Sequence, residues 1–142
     1  LTTLLIPGWN DSDGEIRDMT EWVVENMGPD VPVHFTAFHP DWKLRDVPAT
    51  PAATLARARA IARESGIHFA YTGNVHDKVG GSTYCPSCQH LLIGRDWYVL
   101  SEWNLTEEGS CPTCGTVLPG TFEEEPGSWG PRRQPVRLAD FR

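Results

Sequence analysis

The sequence contains no long apolar run and few basic residues. Of its 142 residues 39% are hydrophobic, and no stretch reaches the ~18 to 20 consecutive apolar residues that a membrane-spanning helix needs. Lys and Arg number 12 against 19 Asp and Glu, which gives a formal net charge of −7. Such a surface repels phosphate groups. The composition therefore excludes an integral membrane protein and argues against non-specific binding of nucleic acid.

The start of the sequence lacks the features expected of a secretory leader, and no cysteine is left over for a long-range disulfide. The chain opens with Leu1 into an apolar run over residues 1–6, without a basic segment or a small-residue cleavage site. All four cysteines fall into two CxxC pairs. We therefore expect a chain cut from a longer protein, in the reducing environment of the cytoplasm.

The first 75 residues alternate between predicted strands and helices. Residues 1–6, 31–38 and 67–72 are short apolar runs typical of buried strands. The order β-α-β-α-β predicts parallel strands with right-handed crossovers. Three parallel strands leave both sheet edges open, so we expect an upstream strand to pair with the first one, as in the last part of a larger α/β barrel.

The ends of both predicted helices carry recognisable signals. Ser12 and Glu15 form a capping box at the start of the first helix, which ends at Gly28. Thr50, followed by proline, is the expected N-cap of the second helix, which ends at Gly66.

The second half of the chain is rich in glycine and proline, which predicts loops. Residues 73–83 have the composition of a linker, and residues 84–119 hold the cysteines. We expect a zinc ribbon over 76–120 and an extended or disordered tail over 121–142. Trp129 and Phe141 are the tail side chains that we expect to contact the body of the protein.

The cysteines form two matching pairs with the spacing of a metal site. Cys85-Pro-Ser-Cys88 is followed after 22 residues by Cys111-Pro-Thr-Cys114. A two-residue gap lets both thiolates of a pair reach one ion, and two such turns supply a tetrahedral Cys₄ site. Strand-like runs at 91–93 and 97–100, separated by residues 94–96, complete the layout of a zinc ribbon.

Three interpretations of this cysteine pattern remain open. Structural zinc is favoured, because the pattern offers no further ligand and no nearby catalytic carboxylate. Iron in a rubredoxin-like site would serve one-electron transfer, since Cys₄ ligation accepts either metal. A redox dithiol fits less well, because a thioredoxin-type CxxC opens a helix after a strand and these pairs do not.

Candidate ligand-binding residues follow the predicted strands. His39 comes directly after the second strand, and parallel α/β folds bind ligands at the carboxyl ends of their strands. Asn10, Asp11, Asp13 and Asn74 are expected at the same end, where loop and capping hydrogen bonds explain Asn10, Asp11 and Asp13 equally well. His34 lies inside a strand and is expected to be a core or interface residue. No Ser/His/Asp arrangement and no phosphate-binding loop stands out.

Segments of the chain resemble a known enzyme family over about residues 1 to 120. LIPGWNDSDGEI, VHFTAFHPDWK, YTGNV, TYCPSC and CPTCG resemble the C-terminal part of AmmeMemoRadiSam system radical S-adenosylmethionine enzymes, which are similar to pyruvate formate-lyase activating enzymes. The resemblance implies that residues 1–75 are the last strands and helices of a partial (β/α)₆ barrel. It also implies a place near S-adenosylmethionine for His39, and Memo-like and Amme-like proteins as partners.

The sequence departs from this family in one large respect. The Cx₃Cx₂C loop that binds the family's [4Fe–4S] cluster does not occur, and neither does the glycine-rich motif for S-adenosylmethionine. We therefore expect the C-terminal portion of an enzyme whose missing N-terminal half of the barrel holds the cluster. The whole enzyme would form a 5′-deoxyadenosyl radical and abstract hydrogen from its substrate. The alternatives are a non-catalytic zinc-ribbon interaction module and a rubredoxin-like electron carrier.

Overall fold

A computed structural model describes residues 1–127, 130, 132 and 135–141. The first part is a three-stranded parallel sheet in the order β1-β2-β3, and two helices connect its strands. Its elements are β1 (Thr2–Leu5), α1 (Asp13–Met27), β2 (Val33–Ala37), α2 (Ala52–Glu64) and β3 (Ala70–Gly73). The α/β class and the β-α-β-α-β order are confirmed. Membership of a radical S-adenosylmethionine barrel stays a prediction.

Both long helices pack on the same face of this sheet. A core forms there from buried side chains of every element, among them Leu5, Ile16, Phe35, Leu55 and Ala70. The opposite face carries the alternate residues of the strands, which pair in register as Thr2–His34–Tyr71 and Leu4–Thr36–Gly73. Leu4 is 43% exposed on that face. Among the described residues, no helix covers it along β1 and β2.

The helix starts differ in how they are capped. Ser12 caps α1 as predicted, because its hydroxyl donates to a Glu15 carboxylate oxygen at 2.7 Å and accepts from the Glu15 amide at 3.3 Å. The prediction of Thr50 as the cap of α2 is wrong: Pro51 holds that position without a side-chain cap. The Thr50 hydroxyl instead donates to the Leu5 carbonyl at 2.6 Å and accepts from the Phe38 amide at 3.0 Å. It ties the ends of β1 and β2 together.

Residues 73–83 are packed rather than a loose linker, contrary to their composition. They contain a short helical turn, α3 (Lys78–Gly81), which Asp77 caps by accepting from the Gly80 amide at 2.9 Å. The other carboxylate oxygen of Asp77 accepts from the Thr72 hydroxyl at 3.0 Å. Ser82 is buried. The composition of residues 73–83 does not predict this packing, because it depends on the contact with Thr72 of β3.

The cysteine-bearing part is a small antiparallel sheet in the order β4-β5-β6, with strands Thr83–Tyr84, Leu91–Asp96 and Val99–Trp103. Residues 94–96 belong to β5, and the turn is formed by Trp97 and Tyr98, between the paired residues Asp96 and Val99. Gly94 lies within β5, where a Cβ atom would come within 2.7 Å of the Ser101 hydroxyl. Position 94 is therefore occupied by glycine because the neighbouring strand lies close, and not because the chain turns there. We call this cysteine-bearing part the ribbon.

The ribbon packs on the free side of β3. Phe69 and Tyr71 lie in one apolar cluster with Leu92, Ile93 and Leu118 of the ribbon. Phe122 at the start of the tail packs against the same cluster, with its ring centroid 6.4 Å from that of Trp103. The ribbon thus covers the β3 end of the sheet face that the helices leave free.

The described part of the tail contains one turn of 3₁₀ helix, Leu138–Phe141, and no strand. The contacts predicted for Trp129 and for the Phe141 side chain lie outside the described residues. Among the described helices, none has the length and hydrophobicity to span a bilayer.

Candidate functional site

The structure brings the four predicted metal ligands together at one end of the ribbon. The Sγ atoms of Cys85, Cys88, Cys111 and Cys114 all lie within 4.8 Å of one another. Cys85 Sγ is 3.5 Å from Cys114 Sγ, and Cys88 Sγ is 3.6 Å from Cys111 Sγ. A tetrahedral zinc ion with Zn–S bonds of about 2.3 Å would space its sulfurs by about 3.8 Å. The four cysteines therefore fit one tetrahedral metal ion.

Two equivalent turns hold these sulfurs in place. In the first, the Cys85 amide donates to the His90 carbonyl at 2.9 Å, and the Gln89 amide donates to the Cys85 carbonyl at 2.9 Å. The second turn has the same two bonds: the Cys111 amide donates to the Thr116 carbonyl at 2.9 Å, and the Gly115 amide donates to the Cys111 carbonyl at 2.8 Å. This backbone equivalence lets each pair present both sulfurs to the same point.

The fifth residue of each turn adopts a left-handed backbone. Gly115 has φ +76° and Gln89 has φ +62°. Only glycine takes this conformation without a steric cost. The Gln89 side chain offsets the cost by donating to the carbonyls of Cys85 and Pro86 at 3.1 and 3.2 Å, while its oxygen accepts from Arg63 of α2. Gln89 was missed in the sequence, although its position matches that of Gly115.

Backbone amides around the sulfurs favour thiolates, as metal binding requires. Hydrogen bonds from the hydroxyl and amide of Thr116 lower the pKa of the Cys114 thiol to about 6. The His90 amide favours the Cys88 thiolate, but partial loss of hydration and hydrogen bonds with the three neighbouring thiols raise the pKa of Cys88 to about 12. Without a metal the Cys88 thiol therefore keeps its proton at pH 7, and metal binding must release that proton.

The arrangement suits a structural ion better than a catalytic one. Cys85 and Cys111 are buried in the ribbon core, and Cys88 and Cys114 are exposed. Four sulfur ligands close a tetrahedral site, whereas catalytic zinc keeps one position open for water or substrate. Thr116 links the two turns, since its Oγ1 lies 3.2 Å from Cys114 Sγ and 2.9 Å from Ser87 Oγ. Nothing in the CxxC spacing pointed to this threonine.

His39 lies apart from the cysteine cluster, exposed in the loop after β2. Asn74 donates to the Ala37 carbonyl of β2 at 3.3 Å, whereas Asn10 and Asp11 form local contacts. Asn10 accepts from the Ile6 amide at 2.7 Å and donates to the Leu4 carbonyl at 3.0 Å, and Asp11 accepts from the Gly8 amide at 2.7 Å. These bonds account for Asn10 and Asp11 as loop-forming residues. The ligand role of His39 stays a prediction.

Comparison with known proteins gives one informative relative. The chain is 41% identical over 119 residues to an uncharacterized protein of Methanocaldococcus jannaschii. The aligned part is 83% of this chain but 36% of the relative, so the chain spans about a third of that protein's length. No family model matches the chain. No solved structure matches it either.

Proposed function

We propose that this chain is the C-terminal portion of a radical S-adenosylmethionine enzyme, with a structural zinc ribbon attached to its barrel strands. The observation that carries the proposal is the cluster of four cysteine sulfurs within 4.8 Å, on two equivalent turns. This cluster uses the TYCPSC and CPTCG segments on which the family resemblance partly rests. Zinc supplies cross-linking between the two turns and no chemistry of its own.

The one-sided sheet supports the barrel part of the proposal. Parallel sheets ordinarily have both faces covered, either by helices or by closure into a barrel. Here both helices lie on one face, and the other carries Leu4, His34, Thr36 and Tyr71. Among the described elements, β1 has no strand on its outer side. Further strands pairing with β1 would turn this second face into a barrel interior.

The length of the relative also supports the proposal that this chain is part of a longer protein. Because the aligned part is 36% of the Methanocaldococcus jannaschii protein, there is room in that protein for the other strands of a barrel. All four cysteines of this chain belong to the ribbon. A [4Fe–4S] cluster and most of the S-adenosylmethionine site would therefore be held by residues outside this chain. His39 is the residue of this chain that we propose to contact S-adenosylmethionine.

Metal analysis tests the ribbon directly. We expect this chain, purified aerobically without added metal, to be colourless and to contain about one zinc per chain. A red protein containing iron would favour the rubredoxin-like electron carrier instead. A metal-free protein with normal folding would contradict the Cys₄ assignment.

Product analysis tests the enzymatic part. The longer native protein, reduced in the absence of oxygen and supplied with S-adenosylmethionine, should release 5′-deoxyadenosine. On the same resemblance we propose Memo-like and Amme-like proteins as its partners, to be recovered by co-purification. Zinc without iron and without product in the native protein would favour the non-catalytic interaction module.

A further inference from the structure

A cleft separates the free face of the parallel sheet from the hairpin of the ribbon. Its volume is about 590 Å³, which is within the usual range for small-molecule sites. Its chemistry comes from six side chains, which define what we call the hairpin cleft: His34, Tyr71, Asp77, Arg95, Trp97 and Tyr98. It contains none of the cysteines and not His39.

Aromatic rings form opposite sides of the hairpin cleft. The Tyr71 ring is fixed because its hydroxyl lies 2.9 Å from the Thr83 hydroxyl. The His34 ring stacks on it, with centroids 4.8 Å apart and planes 24° apart. On the hairpin side, Trp97 stacks on His76 with centroids 5.2 Å apart. Aromatic rings that are held in place before binding favour a flat ligand, because few side chains have to lose conformational freedom when it binds.

Trp97 occupies a backbone position that folding alone would give to glycine or asparagine. It is the first residue of the two-residue hairpin turn and has φ +56°. A bulky side chain in this left-handed region is a steric outlier, and such outliers cluster at ligand sites. The Trp97 side chain is also 49% exposed. The folded chain thus holds a strained tryptophan whose indole is still partly open to solvent.

Arg95 supplies the positive charge of the hairpin cleft, which also holds the carboxylate of Asp77. Arg95 is held by a bond from its Nη1 to the Gly81 carbonyl at 3.1 Å, and it forms no ion pair among the described residues. The carboxylate of Asp77 already accepts from Thr72 and Gly80. Burial first, then the positive charges of the Leu1 ammonium group and Arg95, lower the pKa of His34, so this ring is neutral at pH 7. A fixed guanidinium beside neutral rings recognises an anionic group.

We propose that the hairpin cleft binds a planar aromatic anion, with its ring against Trp97 and the His34 ring and its carboxylate or phosphate on Arg95. The ligand would contact neither the zinc ion nor an iron–sulfur cluster, but Arg95, Trp97 and Tyr98 lie in the ribbon, so the test uses the zinc-loaded chain. This site is independent of the proposed radical chemistry and can be tested on this chain alone.

Calorimetric titration at pH 7.5 with three probes tests the proposal. Naphthalene-2-carboxylate supplies ring and carboxylate, its carboxamide supplies the ring without charge, and AMP supplies a nucleotide source of the same chemistry. We expect one of the two anions to bind at least roughly tenfold more tightly than the carboxamide. Preference for AMP would identify a nucleotide site, and preference for the naphthoate an aromatic acid site. Equal binding of anion and carboxamide, or no binding of any probe, would overturn the proposal.

Variants separate the ring contact from the charge contact. Arg95→Gln should abolish the preference for the anion while leaving carboxamide binding unchanged. Trp97→Gly should relieve the backbone strain, keep or raise the melting temperature, and weaken every probe at least roughly tenfold. Trp42→Gly is the matched control, because Trp42 is 74% exposed with φ +46° and lies outside the cleft. Loss of binding in the control, an unchanged preference for the anion in Arg95→Gln, or unchanged probe affinities in Trp97→Gly would overturn the proposal.

Discussion

At the residue scale, Gly80 and Gly115 are both required, but for different physical reasons. A Cβ at Gly80 would lie 2.8 Å from Thr72 Cγ2, and closer still to the Thr72 hydroxyl and the Asp77 carboxylate. At Gly115 nothing lies within 4 Å of the added atom, but φ is +76°. The first glycine is fixed by crowding and the second by backbone conformation.

These two cases predict different costs for the same substitution. Gly80→Ala should lower the free energy of unfolding by roughly 2 to 3 kcal/mol, because it must break the Thr72–Asp77 hydrogen bond. Gly115→Ala should cost only about 1 kcal/mol of backbone strain. Urea denaturation of the zinc-loaded chain measures both. Equal costs would mean that α3 is less tightly packed than the structure shows.

His34 gives the molecule a predictable dependence on acid. Its pKa is lowered by burial and by two nearby positive charges, so the unfolded chain binds a proton more readily than the folded one. Stability from this group is complete above about pH 6.5, the ordinary histidine value, and is lost as the pH falls from there through the lowered pKa. His34→Gln should therefore flatten the acid side of a plot of unfolding free energy against pH. An unchanged slope would show that His34 ionises freely in the folded state.

At the scale of elements, we expect the ribbon to depend on a bound metal and the parallel sheet to fold without one. Cys111→Ser removes one of the two buried ligands, so we expect loss of zinc and unfolding of residues 84–119. Helix α2 packs in the separate core with Leu5 and Phe35 and should stay folded. Hydrogen exchange should show rapid labelling of β5 and β6 with continued protection of α2.

A neighbouring substitution provides the control for this experiment. Thr113→Ser changes an exposed, non-ligating residue of the same turn and copies Ser87 of the first turn. It should retain zinc and normal protection of the ribbon. Full zinc occupancy in Cys111→Ser would show that the Cys₄ assignment is wrong.

The elements also show which parts of the fold local sequence can predict. Helix α1 was predictable because Ser12, Glu15 and Gly28 act within a few residues of its ends. The cysteine cluster was predictable because each pair forms its own turn, independent of the rest of the chain. Thr50 was assigned wrongly because its partners, Leu5 and Phe38, are 45 and 12 residues away. The Trp97 turn was missed because a tryptophan with positive φ has no signal in turn propensities.

The hairpin cleft could not be predicted from the sequence for a related reason. Its residues come from β2, β3, the α3 turn and the ribbon hairpin, which are brought together only by packing of the ribbon on β3. His34 was expected in a core or an interface, and it is indeed half-buried against Tyr71. Its position on the wall of a cleft depends on which face of the sheet the helices cover. The alternation of apolar and polar residues along a strand does not determine which face of the sheet the helices cover.

At the scale of the whole molecule, different parts of the chain cover the two faces of the parallel sheet. Helices and an apolar core cover one face, and the ribbon with its four cysteines covers the β3 end of the other. Arg59 of α2 joins them, because its Nε donates to the Ala70 carbonyl at 2.9 Å and its guanidinium lies 5.8 Å from the Tyr84 ring centroid. The ribbon is thereby fixed beside the uncovered face, where a barrel interior would lie.

The most direct test of the proposed enzyme is anaerobic isolation of the native polypeptide from its source cells, followed by metal and product analysis. We predict a polypeptide well above 15.8 kDa, with about one zinc and about four iron atoms per chain. After reduction it should convert S-adenosylmethionine to 5′-deoxyadenosine. A native polypeptide of the same mass as this chain, with zinc but no iron and no 5′-deoxyadenosine formed, would contradict the assignment to a radical S-adenosylmethionine enzyme.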